Sequence, residues 1–357
     1  MAEARTSIAE SENVLIGAGE CEITILPFFG GKISSIRIGQ NELLQRPLAP
    51  IAPRTRTMTF DEGDASGWDE CVPSVAACSV RTAVGTAEVP DHGDLWRVEW
   101  EKQGTRGPGD KGTEKQGTRG RGDEGAEKRG TRGRGDEGTA VGGNSLELTG
   151  RCFSLPLELE RKMAVNETER GWRLDLGYRV RNVGAYPVPW SWAAHPLFAC
   201  EEGDRIVLPE SIRSLKVEGS GRDRLGGSGD SVAWPIAALA TGGTADLSVV
   251  GRSDSEVGDK LFAGPLSATE NWCALERRSA GVRIRVGFDT ATTPYLGLWI
   301  CYGGWPEKRG PKQFCVAMEP ATAPVDSLAV SGPWSRELRP GESFLWTMQV
   351  DIERIER

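Results

Sequence analysis

Two histidines occur in this 357-residue chain, His92 in "EVPDHGDLWRVEW" and His195 in "SWAAHPLFACEEGD". Both sit beside turn-forming residues at the edges of aromatic-rich runs. A third candidate for chemistry is Glu319, near the end of the apolar run "QFCVAMEP". An unperturbed imidazole titrates at about 6.5 and so serves as acid or base at neutral pH. A carboxylate enclosed by Val316, Met318 and Pro320 is pushed up toward that range by desolvation. One well-placed acid or base contributes about 10²–10⁴-fold in rate. Reactions built from two proton transfers, with no activated nucleophile, suit such equipment.

Strand alternation adds to this. The residue before Pro196 is sterically held extended, so His195 shares a strand face with Ala193 and Ser191, while Trp190, Trp192 and Ala194 take the other. Glu319 likewise lies on a face with Ala317 and Cys315, opposite Phe314, Val316 and Met318. Faces of small residues leave a cleft that larger ones would fill. Each candidate also has a plain structural reading. His195 suits a hydrogen-bonded strand end, Glu319 a strand's exit to water, and His92 an Asp-His-Gly turn steadied by Asp91 or Asp94.

Other chemistries are poorly supported. The chain has no G-x-S-x-G elbow and no phosphate-cradling or dinucleotide loop in a strand–helix setting. It also lacks the HxH or HExxH spacing of a catalytic zinc site. Neither a catalytic zinc site nor a bound nucleotide is expected from these patterns. Twelve tryptophans stand against four tyrosines. Trp68, Trp96, Trp192, Trp299 and Trp305 lie beside the candidate segments, where an indole offers a flat apolar face to sugar CH groups and a polar edge to hydroxyls. Most tryptophans fill cores, so one or two of these are expected to face a ligand.

The elements that must position these groups read as strand after strand. "WRLDLGYRV", "GVRIRVGFD" and "SFLWTMQVDI" alternate apolar and polar residues with period two, and shorter runs of that kind appear in "CEITILP", "LWRVEW" and "NSLELTG". No long segment carries helical periodicity. With 46 glycines and 21 prolines punctuating the runs, the expected architecture is one all-β domain, residues 1–357, of packed antiparallel sheets. One tract departs from it. "GTRGPGDKG" at Gly104 returns as "GTRGRGDEG" at Gly117 and Gly130, a 13-residue period of glycine and alternating charge without aromatics. Such composition buries too little apolar surface to offset its ordering entropy. Residues 101–144 are therefore expected to form a disordered low-complexity insertion between two strands.

A formal net charge of −8 argues against nucleic acid or an anionic membrane surface as partner. The opening "MAEARTSIAESENV" lacks the apolar core of a secretory signal, and no run approaches the roughly 18 apolar residues of a spanning helix. Eight cysteines without a CxxC pair, mostly in apolar surroundings, suit free thiols in a reducing compartment. A cytoplasmic location is the expectation.

Six segments, in order, resemble the galactose mutarotase-like (aldose 1-epimerase) family: "GGKISSIRIGQNELL", "GDASGWDECVPSV", "VPDHGDLWRVEW", "VRNVGAYPVPWSWAAHPLF", "AMEPATAPVDSL" and "LRPGESFLWTMQV". The resemblance spans nearly the whole chain outside the repeat tract. It implies a large twisted antiparallel β-sandwich that interconverts the α and β anomers of a free aldose without a cofactor. On that resemblance Glu319 is the base that takes the C1 hydroxyl proton. His195 is the acid that protonates the ring oxygen, and His92 hydrogen-bonds the sugar near it. Many members carry an arginine before the first histidine; here Trp68, Asp69 and Glu70 stand there. An acidic pair would accept hydrogen bonds from neutral hydroxyls and repel a phosphate, so an unphosphorylated sugar is implied. Asp259 in "GDKLF" is similar to a family aspartate that binds hydroxyls, with a surface salt bridge as the plain alternative. Two other functions fit the same residues. One is a non-catalytic carbohydrate-binding protein. The other is a glycoside-cleaving enzyme pairing Glu319 with Asp69 or Glu70, which needs carboxylates about 5–10 Å apart.

Overall fold

The computed structural model describes residues 13–106, 143–307 and 309–356. Two large antiparallel sheets dominate it. In the 11-stranded sheet, five neighbouring strands run in the order Trp68–Cys71, Ala193–Ala199, Phe314–Ala321, Tyr295–Tyr302 and Val257–Ala263. The eight-stranded sheet is centred on Val282–Phe288, Ser343–Arg354, Gly171–Asn182 and Leu157–Thr168. Helix among the described residues is limited to four single turns of 3-10 type. None is long and apolar enough to cross a membrane.

The period-two pattern explains the layering. In Gly171–Asn182, Trp172, Leu174, Leu176, Tyr178 and Val180 are buried, and in Ser343–Arg354, Trp346, Met348 and Val350 are buried while Leu345 is exposed. These inner faces meet Ala194, Val316 and Met318 of the other sheet, together with Trp190 and Trp192 from the segment leading into it, in one continuous core. Polar groups also cross it. Arg161 and Tyr178 of the smaller sheet both reach the Glu70 carboxylate, each at 3.0 Å.

Two local expectations need correction. "LWRVEW" is not a strand: Leu95–Arg97 forms a single 3-10 turn. The Arg97 guanidinium gathers the carbonyls of Met58, Asp91 and Gly93, and such convergence on one side chain suits a turn better than a ladder. Residues 101–106, placed in the insertion by composition, form the strand Glu101–Arg106 and pair with Ser145–Arg151. Backbone hydrogen bonding to a neighbouring strand outweighs their poor apolar content. At the far end Gly143 and Asn144 are also tied in, their carbonyls accepting from the Gly17 and Val165 amides; the rest of that expectation, at 107–142, lies outside the described residues.

Candidate active site

Adjacent strands of the larger sheet carry most of the candidate residues on its outer face. His195 and Glu319 sit on neighbouring strands, Ala193–Ala199 and Phe314–Ala321. Glu319 lies opposite Gly297, and Lys260 opposite Trp299. The face of small residues foreseen around Glu319 is present: Ala317, Cys315 and Cys301 pack with Leu197 beneath Trp299 and Trp305. Gly297 has a local reason. A Cβ there would lie 3.0 Å from Glu319 Oε2 and 3.2 Å from the Phe262 ring, so glycine makes room for the carboxylate.

His92 arrives from a loop. The Asp91–His92–Gly93 turn places His92 at φ 57 and Gly93 at φ 68, both left-handed. A non-glycine residue held there stores about 1–3 kcal/mol unless its surroundings enforce it. Here Asp94 anchors the turn by accepting hydrogen bonds from the Phe153 and Ser154 amides and the Ser154 hydroxyl. A Cβ on Gly93 would strike the Val72 carbonyl. Gly93→Ala is therefore expected to cost more than about 1 kcal/mol. Urea unfolding checks this, and unchanged stability would show that the turn relaxes freely.

The three candidates converge. The rings of His92 and His195 lie 5.0 Å apart at 84°, and Phe60 stacks on His92 at 3.9 Å. His195 Nε2 is 3.8 Å from Glu319 Oε1. Between them is a cavity of about 170 Å³, also lined by Lys260, Trp299, Trp305 and Asp326. Since one water needs about 10–15 Å³ of such space, the hollow has room for several waters or a small polar molecule. His195 Nδ1, Glu319 Oε1 and Asp326 Oδ1 are buried without a hydrogen-bond partner. Buried polar atoms are nearly always satisfied, so three such atoms on residues lining one hollow can be met there by water or by a polar ligand.

Electrostatics divides the roles. Desolvation pushes the Glu319 carboxyl above its ordinary range, although Lys260 pulls the other way. Burial, reinforced by His92, Lys260 and Lys32, pushes His195 well below the usual imidazole range, so its resting ring is uncharged at neutral pH. His92 Nδ1 is 2.9 Å from Asp91 Oδ2. That contact fixes the ring's orientation and places negative charge behind it, as such carboxylate partners commonly do.

The expected sugar-contacting residues do not line this cavity. Glu70 faces the core, bound by Arg161, Tyr178 and the Trp192 indole at 2.8 Å. Trp68 and Trp192 are core residues on that same side. Asp69 does share the outer face with His195, its cross-strand partner. It is nonetheless covered by Lys32 at 2.6 Å and Arg54 at 3.5 Å. Asp259 is buried against Arg224, at 2.7 Å, and Ser220. The surface salt bridge foreseen for Asp259 is thus a buried one. Asp69 and Glu70, the partners considered for Glu319 in glycoside cleavage, are each held by cations, and neither lines the cavity. Of the tryptophans singled out, Trp299 and Trp305 face the cavity; Trp96 is buried below it.

Sequence reading passed over Lys260 and Asp326. Lys260 left one signal, a second charge in the middle of "GDKLFA". On a strand, Asp259 and Lys260 must point to opposite faces, and composition favoured the wrong one. Among the described residues no cluster of three His, Cys, Asp or Glu could hold a metal ion. A larger hollow of about 880 Å³ lies on the outer face of the eight-stranded sheet. Its charged lining residues are Lys162, paired with Glu147, Arg285, 3.7 Å from Asp351, and the carboxylates Asp175 and Asp289; no histidine is among them.

The architecture is the galactose mutarotase-like sandwich, with a hollow of about 170 Å³ on the outer face of its larger sheet. It is similar to the structure of the Slr1438 protein from Synechocystis sp. PCC 6803 (15% identity, TM-score 0.62, 96% of each chain covered). A galactose mutarotase-like protein from Lactobacillus casei matches at 13% identity and TM-score 0.61, over 96% of this chain and 100% of that one. A galactose mutarotase related enzyme from Lactobacillus acidophilus matches at 13% identity and TM-score 0.58, over 97% and 98%. At these identities the likeness establishes the fold. No family model and no curated protein matches the chain.

Proposed function

We propose that the chain is an aldose 1-epimerase acting on an unphosphorylated monosaccharide. The observation that carries the reading is the convergence of Glu319 with both imidazoles around one hollow that also presents the Trp299 and Trp305 rings. Glu319 Oε1, free of other partners, takes the proton from the C1 hydroxyl. As the C1–ring-oxygen bond breaks, the imidazole pair, which must enter the step sharing one extra proton, passes that proton to the leaving oxygen; both rings are then neutral and the open aldehyde forms. Asp91 Oδ2, 2.9 Å from His92 Nδ1, orients that ring toward the leaving oxygen. Rotation about C1–C2 and reversal of both transfers close the other anomer, with no net change in protons.

Charge favours a neutral substrate. Asp91, Glu319 and Asp326 outnumber the one ammonium of Lys260 among the lining side chains, which would repel a phosphate. Trp305 provides an apolar wall; Trp305→Ala is expected to raise KM about 2- to 10-fold, with kcat little changed, through loss of about 0.5–1.5 kcal/mol of ring contact. The test of function is polarimetry, backed by NMR exchange spectroscopy, on freshly dissolved anomers of a panel of aldoses. Acceleration over buffer for at least one is expected. Calorimetric sugar binding without exchange would make the chain a carbohydrate-binding protein instead.

A further inference from the structure

We infer that Lys260 is a positioning residue for Glu319: its ammonium occupies Oε2, holds the carboxylate charged, and leaves Oε1 as the sole proton acceptor. The inference rests on reading Glu319 as the base. Lys260 Nζ donates to Glu319 Oε2, whereas Oε1 has no hydrogen-bond partner and lies 3.8 Å from His195 Nε2. The two oxygens are thus made unequal. The ammonium is itself held in place, 3.5 Å from Asp326 Oδ1 and 5.4 Å from the centre of the Phe262 ring.

Physical chemistry gives the arrangement a purpose. Glu319 sits where desolvation favours its neutral form, and a protonated carboxyl cannot act as a base. An opposite charge within contact range lowers a carboxyl pKa by about 1–3. Lys260 therefore keeps the base available without exposing it to water. Burial would discharge the lysine too, but Asp326 and Glu319 hold its pKa above the ordinary range. The other groups facing Glu319 are Asp326, which disfavours its charge, and His92, which favours it. His195 lies alongside, and the buried thiols Cys71 and Cys315, pushed up by burial, stay protonated. Lys260 is the one permanent cation among them.

The test is the pH profile of kcat/KM for Lys260→Met and Lys260→Arg. The acid limb reports ionisation of the base. Without the ammonium it should move to higher pH, so Lys260→Met loses about 10- to 100-fold at about pH 6 and recovers toward the parent at about pH 9. Lys260→Arg retains the charge and should keep the limb near its original position. An equal loss at every pH, or an unmoved limb, would overturn the inference. A second readout needs no activity: carboxyl-carbon NMR of glutamate-labelled protein, with the Glu319 resonance assigned by Glu319→Gln. That resonance should be ionised at neutral pH in the parent and titrate higher in Lys260→Met. A parent carboxyl already protonated at neutral pH would refute the inference even if the methionine variant did not fold. Absence of epimerase activity in the parent would defeat the functional proposal alone, because the titration still decides what Lys260 does.

Discussion

Glu319→Gln is expected to lower kcat for anomer exchange by about 10²–10⁴-fold while leaving a sugar-binding pocket. The amide keeps the shape and one acceptor oxygen but cannot take up the C1 proton. The substitution also deprives Lys260 of its nearest counter-charge, leaving Asp326 at 3.5 Å as the remaining one. Some stability should therefore go as well, and the kinetic loss must be read alongside an unfolding curve. A variant that binds sugar by calorimetry, unfolds cooperatively and fails to exchange anomers is the expected outcome. A fully active Glu319→Gln would remove the base from the mechanism.

The largest effect on stability belongs to Arg161→Met. Arg161 and Glu70 are both fully buried and ion-paired at 3.0 Å, with the Tyr178 hydroxyl and Trp192 indole completing the carboxylate's shell. Removing one partner of a buried pair leaves an uncompensated charge and costs about 3–5 kcal/mol. Glu70 is already pushed upward by desolvation, with Arg161 the leading opposing influence. In Arg161→Met it should rise further, so the folded state would prefer the protonated acid. A carboxyl whose folded pKa exceeds its unfolded value favours folding at low pH and loses that contribution as pH rises through the folded pKa. The deficit in urea unfolding should therefore shrink in mild acid and be largest at alkaline pH. KM should change little in whatever fraction remains folded, because Glu70 faces the core. A large rise in KM with unchanged stability would return Glu70 to the sugar-contacting role that its position in "GWDECVPSV" suggested.

The contrast between Glu70 and Lys260 shows where sequence reading succeeds and stops. Alternation named the faces correctly around His195 and Glu319, because Pro196 and the small residues Ala193, Ala317 and Cys315 mark which side is open. In "GWDEC" every residue is buried, so both faces of that strand are covered and no polarity contrast tells them apart. Asp69 faces outward and Glu70 inward, yet each is masked by cations brought from distant segments: Lys32 and Arg54 for one, Arg161 for the other. The "GDKLF" strand poses the same choice, and there the lysine, not the aspartate, enters the hollow.

From sequence alone came the all-β class, the strands with clear period-two contrast, and three candidate residues that converge on one cavity, with the faces of two of them. Those properties depend on local spacing and side-chain chemistry, which the order of residues carries directly. Tertiary structure alone decided that His92 is held by a left-handed turn against Phe60, that Lys260 and Asp326 join the cavity, and that Trp68, Asp69, Glu70, Trp192 and Asp259 do not line it. Those outcomes depend on which far-separated segments become neighbours in the sheets, and so on which charges find partners before any ligand arrives.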